Sequence, residues 1–171
     1  SAISKAAHPM ICFSEYIPLT INNEIITYGK YGIGFSKSWA REKKISPVLY
    51  VSENSTAAKG MKELLIARRI RSLDKKLDPK LRLAIMEIKC FIKNEKGYNS
   101  NTHNPEFDFK SENEWRFVPQ KKEIKNYLIS QNQSTYLNNK KKHNQKLEKF
   151  PLKFDLNDLK VVYVSNANER N

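Results

Sequence analysis

Two carboxylates and a guanidinium fall within five residues at Glu112, Glu114 and Arg116, inside the aromatic stretch Phe107–Pro119. A strand through this stretch would send Phe107, Phe109, Trp115 and Phe117 to one face and Glu112, Glu114 and Arg116 to the other. Two carboxylates and a guanidinium gathered on one side of a short segment can form a catalytic site. The same residues can form a structural ion pair, with Arg116 along the strand or Arg41 from elsewhere, or they can contact a partner. Exposed ion pairs contribute only about 0–1 kcal/mol, so stability alone is a thin reason for so clustered a set.

Other chemistries find less support. Three dispersed histidines offer no Ser-His-Asp or Cys-His centre. Cys12 and Cys90 lack zinc-type spacing and read as small core residues. A metal site on Glu112, Glu114 and His103 would compete with Arg116, so no metal is expected, and His103 is assigned to the surface. Tyr28–Trp39 holds three of the five glycines, at a spacing that fits neither a P-loop nor a dinucleotide fingerprint. Two readings stand for it: a tight β-turn-β packed on the core, or a floor beneath a ligand flanked by Tyr28 and Tyr31.

These residues need elements to position them. Pro9–Glu15 reads as a buried strand delivering Ser14 and Glu15 at its end, and Val48–Val51 as another strand after Pro47. A helix is expected over about 56–73, capped by Asn54 or Ser55, with Arg68, Arg69 and Arg71 in its last turns. A second is expected over about 79–93, with Pro79 in its first turn and an end that could instead be a strand leading to Gly97. Asn94–Asn104 reads as a polar loop, and 151–164 as a strand, a turn near Asn157-Asp158 and a terminal strand. The prediction is a single α+β domain over 1–171, with a central, mostly antiparallel sheet and two helices from the middle of the chain. Residues 1–8 would be a tail or a trimmed start that leaves an upstream element missing, and 121–149 a protruding basic insertion or arm.

The formal charge of +13 is concentrated. Residues 59–93 carry eleven basic and four acidic side chains and 121–149 eight and two, and the rest of the chain sums to zero. A solvated helix face accounts for one such block, whereas two blocks carrying all the excess point to an anionic partner, nucleic acid above all, with Arg68, Arg69, Arg71, Lys140, Lys141 and Lys142 as its contacts. No apolar run is long enough to cross a bilayer and no leader opens the chain, so no membrane partner and a cytoplasmic location are expected.

Six pieces taken in order resemble the AbiGi proteins of abortive-infection phage-resistance systems: CFSEYIPL (12–19), YGKYGIGFSKSW (28–39), SPVLYV (46–51), CFIKNEKGY (90–98), SENEWRFVP (111–119) and PLKFDLNDLKVVYV (151–164). That resemblance implies a toxin–antitoxin module, the antitoxin role and a cognate toxin as partner. More distantly, Glu112 and Glu114 after a glycine- and aromatic-rich stretch resemble the glutamate motif of ADP-ribosyltransferases. This second resemblance implies NAD as cofactor, held by Tyr28, Tyr31, Ser14 and Arg116. Glu114 would sit at the ribose and its oxocarbenium-like centre, with Glu112 orienting the acceptor. The upstream Arg or His motif and the Ser-Thr-Ser strand of those enzymes have no counterpart here unless Ser14 or Ser36 substitutes. The alternative is a non-catalytic basic antitoxin that binds nucleic acid or its toxin.

Overall fold

The computed structural model describes residues 6–15, 31–125, 130–166 and 168, with Arg71 described by its backbone alone. In chain order the strands and helices are β1 (Ala6–Ala7), β2 (Ile11–Ser14), β3 (Gly32–Phe35), α1 (Lys37–Glu42), β4 (Ser46–Pro47), β5 (Leu49–Val51), α2 (Thr56–Arg69), α3 (Arg71–Asp74) and α4 (Pro79–Lys89). There follow β6 (Ile92–Asn94), β7 (Lys96–Asn99), β8 (Asn104–Asp108), a 3-10 turn (Phe109–Glu112), β9 (Glu114–Phe117), β10 (Gln131–Asn132), α5 (Gln133–Asn138), α6 (Lys140–Leu147), a second 3-10 turn (Leu156–Asp158) and β11 (Leu159–Tyr163). The class is α+β, as the sequence predicts.

The antiparallel sheet at the centre is small. Strand β9 lies between β2 and β4, with Phe13 and Pro47 opposite Trp115 and with Cys12 and Ser46 opposite Arg116. Around it lie four two-stranded pairs, β1–β10, β3–β11, β5–β6 and β7–β8, of which β5–β6 is parallel. Ala6–Ala7, in the stretch read as a tail, pairs with Gln131–Asn132 inside the basic segment. The polar loop expected at Asn94–Asn104 is instead largely the β7–β8 hairpin, whose turn holds exposed His103 at φ 54°.

The aromatic face of the central sheet meets α1. Phe35 stacks on the buried Trp39 at 4.0 Å between ring centroids, and Phe13 and Phe154 approach Phe35 edge-on. Ser36 starts α1 by accepting from the Trp39 N–H, so one serine fixes both the helix start and the ring. Strong caps also set the mid-chain helices: Ser55 accepts from the Ala58 N–H, and Asp78 accepts from Lys80 and Leu81 with Pro79 behind it. Helix α2 stops at Arg69 and α4 at Lys89, both earlier than predicted. Ile70 turns to an extended conformation, while Ile92–Asn94 leaves α4 to pair with β5.

Two of the described glycines answer to packing. A Cβ at Gly34 would run into Val161 Cγ1 on the paired strand, and one at Gly32 would press on the Tyr163 ring at 3.3 Å. The glycine-aromatic stretch from Gly32 onward is therefore a strand pressed against β11. Gly34→Ala is expected to cost about 1–3 kcal/mol through overpacking. Chemical denaturation of Gly34→Ala, Val161→Ala and the double variant should show the double variant recovering most of that loss.

Candidate functional site

The local sequence breaks the strand expected through Phe107–Pro119. The Asp108 carboxylate accepts from the Lys110 N–H, and Ser111 Oγ donates back to the Asp108 carbonyl at 2.6 Å, which closes a 3-10 turn over Phe109–Glu112. Asn113 then takes the left-handed conformation at φ 42°, which asparagine tolerates better than most residues, and β9 begins. The predicted alternation therefore holds only within β9, where Glu114 and Arg116 share a face. Glu112 reaches the same place from the turn.

A cation that sequence reasoning did not select joins the two glutamates. Lys93, in β6, donates through Nζ to Glu112 Oε2 at 2.6 Å and to Glu114 Oε2 at 2.9 Å. Arg116 holds the other side of Glu114 in a two-pronged contact, Nε to Oε1 at 2.7 Å and Nη2 to Oε2 at 3.1 Å, while its Nη1 donates to the Cys90 carbonyl at 2.5 Å. Tyr50, in β5, accepts the Glu114 N–H at 2.8 Å, and the Phe109 ring lies 4.3 Å from Lys93 Nζ. Both glutamates are 6% exposed. Two carboxylates and two cations make a neutral, buried cluster that ties β9 to β6 and to the end of α4.

Charge states follow from these contacts. Burial would raise the Glu114 carboxyl, but hydrogen bonds from Arg116, Lys93 and Cys12 overcome it and hold the group at about 2. Burial pulls Lys93 down, and its bonds to Glu112 and Glu114 outweigh that and leave it raised. Cys12 is exposed as a residue, so it is not the core position predicted; burial of its thiol and the adjacent Glu114 push it up to about 11. Cys90 is buried as expected and is raised to about 11 by burial. Both cysteines are neutral thiols at pH 7 and weak nucleophiles. A carboxylate titrating at about 2 and gripped by two cations is a poor general base at that pH.

The predicted site residues are only partly gathered. Ser14 lies opposite Glu114 in the β2–β9 register, and Arg116 belongs to the cluster. Tyr31 precedes β3 in a different sheet and is 68% exposed, and Tyr28 lies outside the described residues. Arg41, offered as an alternative partner, is exposed on α1, and Lys93 takes that role. Two surface concavities, of about 340 and 270 Å³, are lined by other residues: the first by Phe117, Ile124, Phe150 and Leu152 among others, the second beside α4. Among the basic candidates, Lys140, Lys141 and Lys142 are exposed on α6, Arg69 is exposed at the end of α2, and Arg68 is half-buried against Asp74. The Arg71 side chain lies outside the described residues. No helix among the described residues is long and apolar enough to cross a membrane.

A family model described as "Putative abortive phage resistance protein AbiGi, antitoxin" matches residues 1–165. No curated protein and no solved structure matches the chain. The match adds nothing to the ADP-ribosyltransferase resemblance.

The acid side of the stability profile tests the cluster. Glu114 titrates at about 2 folded against 4.5 as its ordinary value, so its contribution is fully present above about pH 5 and is lost as pH falls towards 2. The shift corresponds to about 3 kcal/mol. Glu15, lowered mainly by its hydrogen bond from Lys37, adds a smaller change of the same sign. Denaturant unfolding of the wild type between pH 7 and pH 3 should show a steep loss, and Glu114→Gln should be less stable at pH 7 with a clearly flatter profile.

Proposed function

Because this chain belongs to the AbiGi family of abortive phage resistance antitoxins, we propose that it is a non-catalytic antitoxin that works by binding nucleic acid through its excess positive charge. The observation that carries this reading is the sequestration of Glu112 and Glu114. Both carboxylates are buried and engaged by Lys93, and Glu114 is held by Arg116 as well. To meet a sugar or an acceptor they would have to break charge-assisted bonds in a desolvated site, which costs several kcal/mol. The cluster is therefore read as a structural clasp.

The binding side of the proposal rests on the charge distribution. Helix α6 opens with three consecutive exposed lysines and continues through Lys146, with no acidic residue in the helix itself. Such a surface binds a polyanion by displacing its counterions, a term that is sequence-independent and sensitive to salt. Bound nucleic acid in turn would bring the antitoxin to the same place as a toxin that acts there.

Binding of labelled oligonucleotides across a salt series tests this directly. The logarithm of the association constant should fall linearly with the logarithm of salt concentration, by about 0.7 per neutralised phosphate for single strands. Reversing Lys140, Lys141 and Lys142 to Glu should weaken binding by at least about tenfold while the melting temperature stays close to that of the wild type. Salt-independent binding would count against the proposal. Transfer of label from NAD to RNA, DNA or protein that disappears in Glu114→Gln would overturn the non-catalytic reading.

A further inference from the structure

The two basic blocks, far apart in the sequence, meet at one place. The recess of about 270 Å³ beside α4 is lined by Arg68 and Arg82 from the first block and by Lys121 from the second, with Leu83, Met86 and Ser130 among its other walls. Asp74 at the end of α3 pairs with Arg68 and, at 3.1 Å, with Arg82. It aligns two guanidiniums and neutralises one charge, so the three cations leave the recess net positive by about two charges. The Arg68 Nε–H is buried with no hydrogen-bond partner among the described residues. A buried donor left without an acceptor is unfavourable, and the Arg68 guanidinium keeps hydrogen-bonding capacity that Asp74 does not use.

We infer that this recess is a phosphodiester site for single-stranded nucleic acid, taking a backbone phosphate between Arg82, Lys121 and Arg68 and a sugar or base against Leu83 and Met86. Each guanidinium presents five N–H donors in a plane, of which the contacts to Asp74 use few, and the remaining donors match the paired oxygens of a phosphate. The volume approaches the lower end of ordinary ligand sites, which suits one nucleotide of a flexible strand and excludes a duplex from the recess itself. The apolar wall distinguishes it from a plain cationic surface, because a base or sugar can cover Leu83 and Met86 whereas a carboxylate side chain leaves them wet. This inference rests on the nucleic-acid reading above and adds to it a location and a strand state.

The test is fluorescence anisotropy of full-length protein with labelled 12-nucleotide single strands, one of RNA and one of DNA, each over a salt series. Among the described residues Lys121 makes no ion pair, so Lys121→Ala and Lys121→Arg carry the experiment. Arg82→Ala accompanies them with its melting temperature measured, because it also loosens Asp74, and Lys160→Ala on β11 is the charge-matched control. Lys121→Ala should weaken binding about tenfold and lower the salt slope by about 0.7. Lys121→Arg should restore most of the affinity, and Lys160→Ala should change it by less than about twofold. The tighter of the two strands identifies the source of the phosphate. Wild-type binding that Lys121→Ala and Arg82→Ala weaken no more than Lys160→Ala does would overturn the recess while leaving the nucleic-acid reading standing. No wild-type binding to either strand would overturn both, and equal competition by a polyglutamate peptide would assign the recess to an acidic protein surface instead.

Discussion

Burying two carboxylates side by side is the constraint on which the centre of this fold depends. Each charge taken out of water carries a desolvation penalty of several kcal/mol, and the two repel each other as well. The structure meets this by bringing a cation to each side. Lys93 bridges the pair, and Arg116 grips Glu114 in plane while anchoring itself on the Cys90 carbonyl. Strand β9 cannot move relative to β6 or to the end of α4 without exposing an unpaired charge. Replacing a buried ion cluster whole by a hydrophobic filling of similar volume is often neutral or stabilising, whereas removing one partner leaves an unpaired buried charge.

Local turn chemistry and one non-local strand pair serve that cluster. Asp108, Ser111 and Asn113 build the tight turn that brings Glu112 beside Glu114 despite their separation by only one residue. The parallel pairing of β5 with β6 delivers Tyr50 and Lys93 together, one to accept the Glu114 amide and the other to neutralise the carboxylates. On the opposite face, the aromatic contacts of Phe13, Phe35 and Trp39 hold the sheet on α1. The polar face is thus closed by ion pairs and the other by rings, and surface charge is left to α2, α4 and α6.

Much of this was legible where the signal is local. The Asn54-Ser55 pair and Pro79 marked the starts of α2 and α4, and the alternation of Glu114 with Trp115 and Arg116 with Phe117 marked β9. The 3-10 turn was not seen because the aromatic alternation ran on through it, although Asp108 and Asn113 carried turn signals. The β7–β8 hairpin was hidden by its Asn, Gly and Ser content, which resembles a loop when its pairing partner is unknown. Lys93 was missed for a deeper reason: which lysine meets Glu112 and Glu114 is decided by the β5–β6 pairing, a tertiary fact with no trace in residue spacing. The meeting of Arg68, Arg82 and Lys121 at one recess is of the same kind.

The central claim is that Glu112, Lys93, Glu114 and Arg116 form a clasp that the fold requires. Equilibrium unfolding of Lys93→Met at pH 7, beside Lys93→Met/Glu112→Gln, measures this most directly. With Lys93 gone and both carboxylates still buried, the single variant should lose about 2–4 kcal/mol, somewhat below a fully buried pair because the Lys93 side chain is 21% exposed. Removing the Glu112 charge as well should recover a substantial part of that loss. A Lys93→Met protein as stable as the wild type, or a double variant weaker than the single one, would contradict the claim.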